Sequence, residues 1–289
     1  MARTPDSQDP TTPMVDIDLD AVCSNYETSK SAAPESELAA VVKCDGYGLG
    51  AVAVARALIA RTECKTFFVA YAHEGVDLRD ALARASRPTR IFVFNGPTNE
   101  TIGAFGEFDL TPVLNSRAQA RLWASRFPNR PAAIHIDTGM NRLGADRPTV
   151  SELSAMRGLK PCLIMSHLAC GSDPGHEMNE RQRRLFDEAA AELPGVDRSL
   201  AASAGALMGA TYHYDLVRAG VALYGVGPFD KRDKRLQPTA HLTAPVVQLR
   251  SVSAGESVGY GATKTFGKDA RLATVALGTP RDKQKADTL

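Results

Sequence analysis

No apolar run of about 18 residues occurs in the sequence, so none of its segments is expected to span a bilayer as a helix. The opening MARTPDSQDPTTP lacks the apolar core of a secretory signal and reads as a disordered leader over residues 1–13. Neither sign of charge is in excess: 34 Lys and Arg against 33 Asp and Glu leave +1. That balance gives no electrostatic reason to expect nucleic acid or a membrane surface as a partner. The five cysteines (Cys23, Cys44, Cys64, Cys162, Cys170) are odd in number and form no C-x-x-C pair. This argues against a disulfide framework and fits a reducing cytoplasm. Cys170, close to a histidine, is read as packing, because no set of metal-binding residues surrounds it. Also missing are a G-x-G-x-x-G dinucleotide turn, a P-loop and a carboxylate cluster for a metal.

What the sequence does have is a march of short apolar runs and longer helical patterns over 289 residues. Strand candidates are ELAAVVK (37–43), TFFVA (66–70), RIFVF (90–94), LTPVL (110–114), AAIHID (132–137), CLIMSH (162–167), SLAAS (199–203) and DLVRA (215–219). Helical spacing follows the earlier ones, as in AVAVARALIAR and NERQRRLFDEAAAEL. The runs are continuously apolar rather than alternating, which suits strands buried on both faces of a parallel sheet. Eight such units point to a (β/α)₈ TIM-type barrel over 14–235. A doubly wound open sheet is the competing reading, since periodicity does not show closure. After the charged KRDKRLQP, the stretch HLTAPVVQLRSVSAGESVGYGATKTF alternates like an antiparallel module, so 236–278 reads as a partial C-terminal β domain.

In such a barrel the chemistry gathers at the carboxyl ends of the strands. Strand one runs into Lys43, with Tyr47 four residues on. Strand five leads to Arg142, strand six ends at His167 and strand seven at Ser203; strand eight carries Arg218 and then Gly220. Each residue alone has a plain reading: a solvated lysine, a surface ion-pair arginine, a core histidine. Together they supply an amine, basic groups and small residues whose backbone N–H groups are free to hold a phosphate. That set suggests pyridoxal phosphate, an aldehyde cofactor that needs an amine partner, a phosphate cradle and a group facing its pyridine nitrogen.

These residues stand in motifs that resemble the alanine racemase family. VVKCDGYGLG resembles its lysine signature, and IDTGMNRLG, SHLACGSD, SLAASAGAL, DLVRAGVALYGVGPF and SVGYGATKTF follow in the family's order. The likeness runs from about Pro13 to Gly278. It implies a pyridoxal-phosphate-dependent isomerase that interconverts L- and D-alanine for peptidoglycan precursors, cytoplasmic and homodimeric, with a strand in MVDIDLDAV (14–22) pairing with the β domain. Lys43 is then the Schiff-base lysine and the base on one face of the substrate Cα. Tyr47 and Ser203 hold the phosphate with the backbone at Gly220 and Val221. Arg218 faces the pyridine nitrogen with His167 hydrogen-bonded behind it, and Arg142 contacts the phenolic oxygen and the substrate. A guanidinium at the ring nitrogen cannot give up a proton, so it favours an unprotonated ring, a weaker electron sink and reprotonation over side reactions.

The sequence also departs from the family. The tyrosine that serves as acid and base on the opposite face is expected just after LATVALG, where Thr279 stands; an aliphatic hydroxyl is too weak an acid for that task. The family continues for further residues, whereas 279–289 has no strand periodicity and reads as an off-family tail, truncated or frame-shifted after Gly278. Ala202 stands for an asparagine, and His135 occupies the place of a modified lysine that orients the arginine. An alternative is therefore a pyridoxal-phosphate-binding protein without racemase activity; another is a racemase for a different amino acid, such as serine.

Overall fold

Along the strand Glu37–Val41, successive side chains point to opposite faces, and both sets are buried: Leu38 and Ala40 on one, Ala39 and Val41 on the other. A strand dry on both sides belongs inside a layered structure. The computed structural model, which describes residues 12–85, 87–229 and 233–277, shows eight such strands in one parallel sheet. After β1 (Met14–Ile17) they are β2 (Glu37–Val41), β3 (Thr66–Val69), β4 (Arg90–Val93), β5 (Thr111–Leu114), β6 (Pro131–His135), β7 (Lys160–Met165), β8 (Asp197–Ser199) and β9 (Leu216–Ala219). From β2 to β8 each neighbours the next in sequence, and β9 returns to β2 with Ala39 beside Arg218. The remaining gap between β8 and β9 is bridged by Arg218 N–H donating to Ala201 O at 3.0 Å and Asp215 N–H to Arg198 O at 3.1 Å. The sheet is a barrel, and the open-sheet alternative is set aside.

All eight expected strands form: the first three lose residues at their C-terminal ends, 110–114 and 215–219 lose their first residue, 132–137 and 162–167 move one or two residues earlier, and the strand expected over 199–203 is Asp197–Ser199, sharing only Ser199 with it. Ala39, Val41, Phe68, Phe92, Val113, Ala133, Leu163, Met165 and Leu216 fill the barrel's interior. Phe68 stacks on Phe92 with centroids 4.8 Å apart, an arrangement worth about 0.5–1.5 kcal/mol beyond its buried area. The opposite row, including Leu38, Ala40, Phe67, Ile91 and Ile134, packs against the surrounding helices.

The chain divides into two compact units, one from Asp18 to Thr239 and one joining β1 to the residues from Ala240 on. In the second, β1 pairs antiparallel with β10 (Ala240–Thr243). β11 (Val246–Val252) pairs with β14 (Ala270–Val275), and β12 (Ser257–Val258) with β13 (Lys264–Thr265), all antiparallel. The strand expected across 14–22 stops at Ile17. Asp18 turns the chain by accepting the Ala21 N–H at 2.8 Å, which caps the helix Leu19–Ala32. A side-chain acceptor of that kind satisfies one of the helix's first free N–H groups and starts it there.

Candidate active site

The two-residue strand period carries past the last interior side chains and decides what reaches the barrel mouth. Two residues beyond Val41 comes Lys43; beyond Ala133, His135; beyond Met165, His167; beyond Leu216, Arg218; beyond Val113, Asn115. Lys43, His135, His167 and Arg218 line one cavity of about 540 Å³, together with Tyr47, Arg142, Ser203, Gly220 and Val221. All the residues expected at the site meet there apart from Thr279, which lies outside the described residues. Among the described residues, no aspartate or glutamate lines this cavity. A cavity with a lysine and two arginines and no carboxylate is built for an anion.

Lys43 sits at the head of an unusual turn. Cys44, Asp45, Gly46, Tyr47 and Gly48 all have positive φ, between 50° and 86°. This single left-handed turn costs about 1–2 kcal/mol for each non-glycine residue in it. Gly46 is required there, because a Cβ on it would meet the backbone of Ala51 at 3.0–3.1 Å. The turn sends Lys43 Nζ over the Tyr47 ring, 5.9 Å from its centroid. The Tyr47 ring in turn lies 4.8 Å from that of Tyr224, whose hydroxyl donates to Val41 O at 3.2 Å. Burial pushes the Tyr47 phenol up, so it stays protonated as a donor.

Ser203, Gly220 and Tyr47 form one corner. Ser203 Oγ accepts the N–H groups of Gly220 at 2.9 Å and Ala222 at 3.2 Å. With both lone pairs engaged, its O–H is left to donate. Gly220 and Val221, whose backbone was expected at the phosphate, both line the cavity beside Ser203. A Cβ on Gly220 would stand 2.6 Å from the Tyr47 hydroxyl, so only glycine admits that phenol.

Arg218 is 2% exposed and donates to Ser199 O at 2.9 Å, Ser199 Oγ and Ser166 O at 2.5 Å each, and Leu200 O at 3.3 Å. Burial pulls it down to about 9, which leaves it cationic at neutral pH. The expected side-chain bond from His167 is not among these partners: the carbonyls of Ser166, Ser199 and Leu200, at or just past the ends of β7 and β8, and the Ser199 hydroxyl take the guanidinium's donors. His167 is instead packed beside Arg218 and Arg142, and burial followed by those charges pushes it down to about 3. Behind it, Gln182 Nε2 donates to His167 O at 2.9 Å and to Thr138 Oγ1 at 3.1 Å.

His135 is 7% exposed and pushed down to about 4 by burial and then by Arg218. Asn115 donates its amide to Phe94 O at 2.8 Å and Val113 O at 3.1 Å, so its oxygen faces His135 Nδ1 at 2.8 Å. His135 is therefore neutral with the proton on Nδ1, and Nε2 is the acceptor. Sequence reading missed Asn115 and Ser199. Asn115 had a signal in its place two residues beyond Val113 on the inward row; Ser199 had none in its immediate neighbours.

A parallel barrel that collects an amine, a buried guanidinium and a corner of N–H and O–H donors at its strand ends has the layout of a (β/α)₈ enzyme. The family model described as the N-terminal domain of alanine racemase matches residues 17–228, and that of the C-terminal domain matches 239–279. The alanine racemase of Rhizobium meliloti is 40% identical over 271 residues, spanning 91% of this chain and 70% of that protein. That of a Cereibacter sphaeroides strain is 42% identical over 265 residues, spanning 91% and 73%. The solved alanine racemase of Bartonella henselae, which carries covalently bound pyridoxal phosphate, superposes with a TM-score of 0.82 at 34% identity, covering 92% of this chain and 75% of the other. That of Pseudomonas aeruginosa gives 0.82 at 33%, covering 92% and 75%. The chain belongs to the alanine racemase family of isomerases.

Proposed function

We propose that the cavity binds pyridoxal phosphate and acts on the Cα proton of alanine through Lys43. The observation that carries this is the meeting of Lys43, Arg218 and the Ser203–Gly220–Tyr47 corner in one cavity, with no carboxylate among its described lining residues. The corner fits a phosphate: one hydroxyl is already set by two backbone N–H groups, and a protonated phenol is admitted by a missing Cβ. When bound, the cofactor supplies an aldehyde that condenses with an amine, losing water, and a conjugated ring that accepts the electrons left at Cα. Lys43 Nζ is the amine and, on its own face of Cα, the proton carrier. Arg218, held by its bonds at the ends of β7 and β8, would supply the cation facing the ring nitrogen, with no proton to spare. Arg142 pairs with the substrate carboxylate. His135 and His167, both neutral, add no competing acid to the site. The free cysteines fit a cytoplasmic setting, and a homodimer is the assembly the family implies. No helix among the described residues is long and apolar enough to cross a membrane.

Thr279, in the place the family gives to a tyrosine, favours a second reading in which the chain binds the cofactor and exchanges the Cα proton without inverting it. Covalent uptake separates both readings from a non-binding protein. Borohydride reduction after incubation with pyridoxal phosphate is expected to label Lys43, located by peptide mass. Labelling spread over surface lysines with Lys43 untouched would sink the proposal.

A further inference from the structure

We propose that Glu74 is the positioning residue of Lys43, gripping through its carboxylate the peptide bond that joins Lys43 to Cys44. The inference rests on the cofactor role given to Lys43 above. The left-handed turn is an expensive conformation at Cys44, Asp45 and Tyr47, so it persists only where surrounding contacts over-determine it. Bonds inside the turn run from Gly46 N–H to Val42 O at 2.9 Å and from Gly48 N–H to Cys44 O at 2.9 Å. Neither holds the Cys44 N–H, which belongs to the peptide plane that sets the direction of the Lys43 Cα–Cβ bond. That N–H donates to Glu74 Oε1 at 2.6 Å. The other oxygen, Oε2, accepts from Ala70 at 2.7 Å and Tyr71 at 3.1 Å.

Glu74 therefore clamps the mouth ends of β2 and β3 to each other, with a full charge facing three backbone donors. The far end of the turn has its own anchor, Asp45 Oδ1 accepting the Ala51 N–H at 2.8 Å. Glu74 does not line the cavity, so it acts through backbone rather than by moving protons. Capping alone does not account for it. As the third residue of the helix Ala72–Ala81 it caps that helix by accepting the Tyr71 N–H, but such a cap needs only the local N–H groups. The bond to Cys44 reaches a residue thirty positions earlier.

The test compares Glu74→Gln, Glu74→Asp and the control Leu78→Val with the wild type, each as the full chain. Glutamine keeps the size but offers one acceptor oxygen; aspartate keeps the charge and the local cap but is a methylene too short for Cys44. Leu78 is 1% exposed on the same helix, so its truncation lowers stability without touching the turn. Amide hydrogen exchange at Cys44 reads the contact without cofactor, and borohydride-trapped uptake of pyridoxal phosphate at Lys43 reads its consequence. The expected result is a protected Cys44 amide in the wild type and control, faster exchange in both Glu74 variants, and uptake slowed in them about tenfold. Fast Cys44 exchange in the wild type, unchanged uptake in the Glu74 variants, or an equal loss in Leu78→Val would each overturn the role of Glu74. A wild type that takes up none at Lys43 overturns the cofactor reading and this role with it.

Discussion

Ser203 and His135 show how single side chains divide the work of the cavity. Ser203 Oγ serves the phosphate corner alone, so Ser203→Ala should weaken affinity for pyridoxal phosphate about tenfold. Titration with pyridoxal, which has no phosphate, should show no such loss; equal weakening of both would remove Ser203 from the corner. His135 titrates near 4 when folded and near ~6.5 when unfolded. A depressed value means that the unfolded chain takes up the proton first as pH falls. The histidine's stabilisation is therefore complete above about pH 6.5 and is lost as pH falls towards 4, at about 1.4 kcal/mol per pH unit. His167, near 3, adds the same sign over a wider window. His135→Asn should flatten the acid side of the stability–pH curve measured by denaturant melts; an unchanged slope would mean that His135 is not held neutral.

At the scale of elements, the turn Lys43–Tyr47 is where local preference is overruled. Gly46→Ala places a methyl at 3.0–3.1 Å from Ala51 and at φ 63°. We expect it to lower stability by about 1–2 kcal/mol and to impair uptake at Lys43 more than Gly48→Ala does, since Gly48 has open space around its Cβ position. Equal effects of the two would show that left-handed φ alone, and not the contact with Ala51, matters. The strands were legible because burial on both faces leaves continuous apolar runs, and the residues at their carboxyl ends, Lys43, His167 and Arg218, could be read from the same runs; which side chains face the interior could not. The length of β1 was not legible, because MVDIDLDAV goes on alternating apolar residues with aspartates, in the manner of a strand, through the point where Asp18 caps a helix. Glu74 was illegible for another reason. Its bond to Cys44 joins elements thirty residues apart, and nothing near either residue announces it.

At the scale of the whole molecule, the two units differ in how much apolar surface they cover. The barrel buries its strands on both faces, whereas Val247 and Leu249 of β11 are 66% and 59% exposed in a two-stranded sheet. Such a pair of strands is marginal in water by itself, and exposed apolar strands invite association. Val247→Lys with Leu249→Glu should narrow the size distribution seen by light scattering without altering uptake at Lys43; unchanged aggregation would place its source elsewhere. The central claim is that Lys43 carries the cofactor and moves the Cα proton. Incubation with pyridoxal phosphate and L-alanine in D₂O tests it most directly, following Cα deuteration and D-alanine together. With L-alanine and D-alanine run in parallel, we expect the enantiomer whose Cα–H faces Lys43 to take up deuterium faster than its mirror image appears, with both abolished in Lys43→Ala. Deuteration that survives in Lys43→Ala, or none in the wild type, would contradict it.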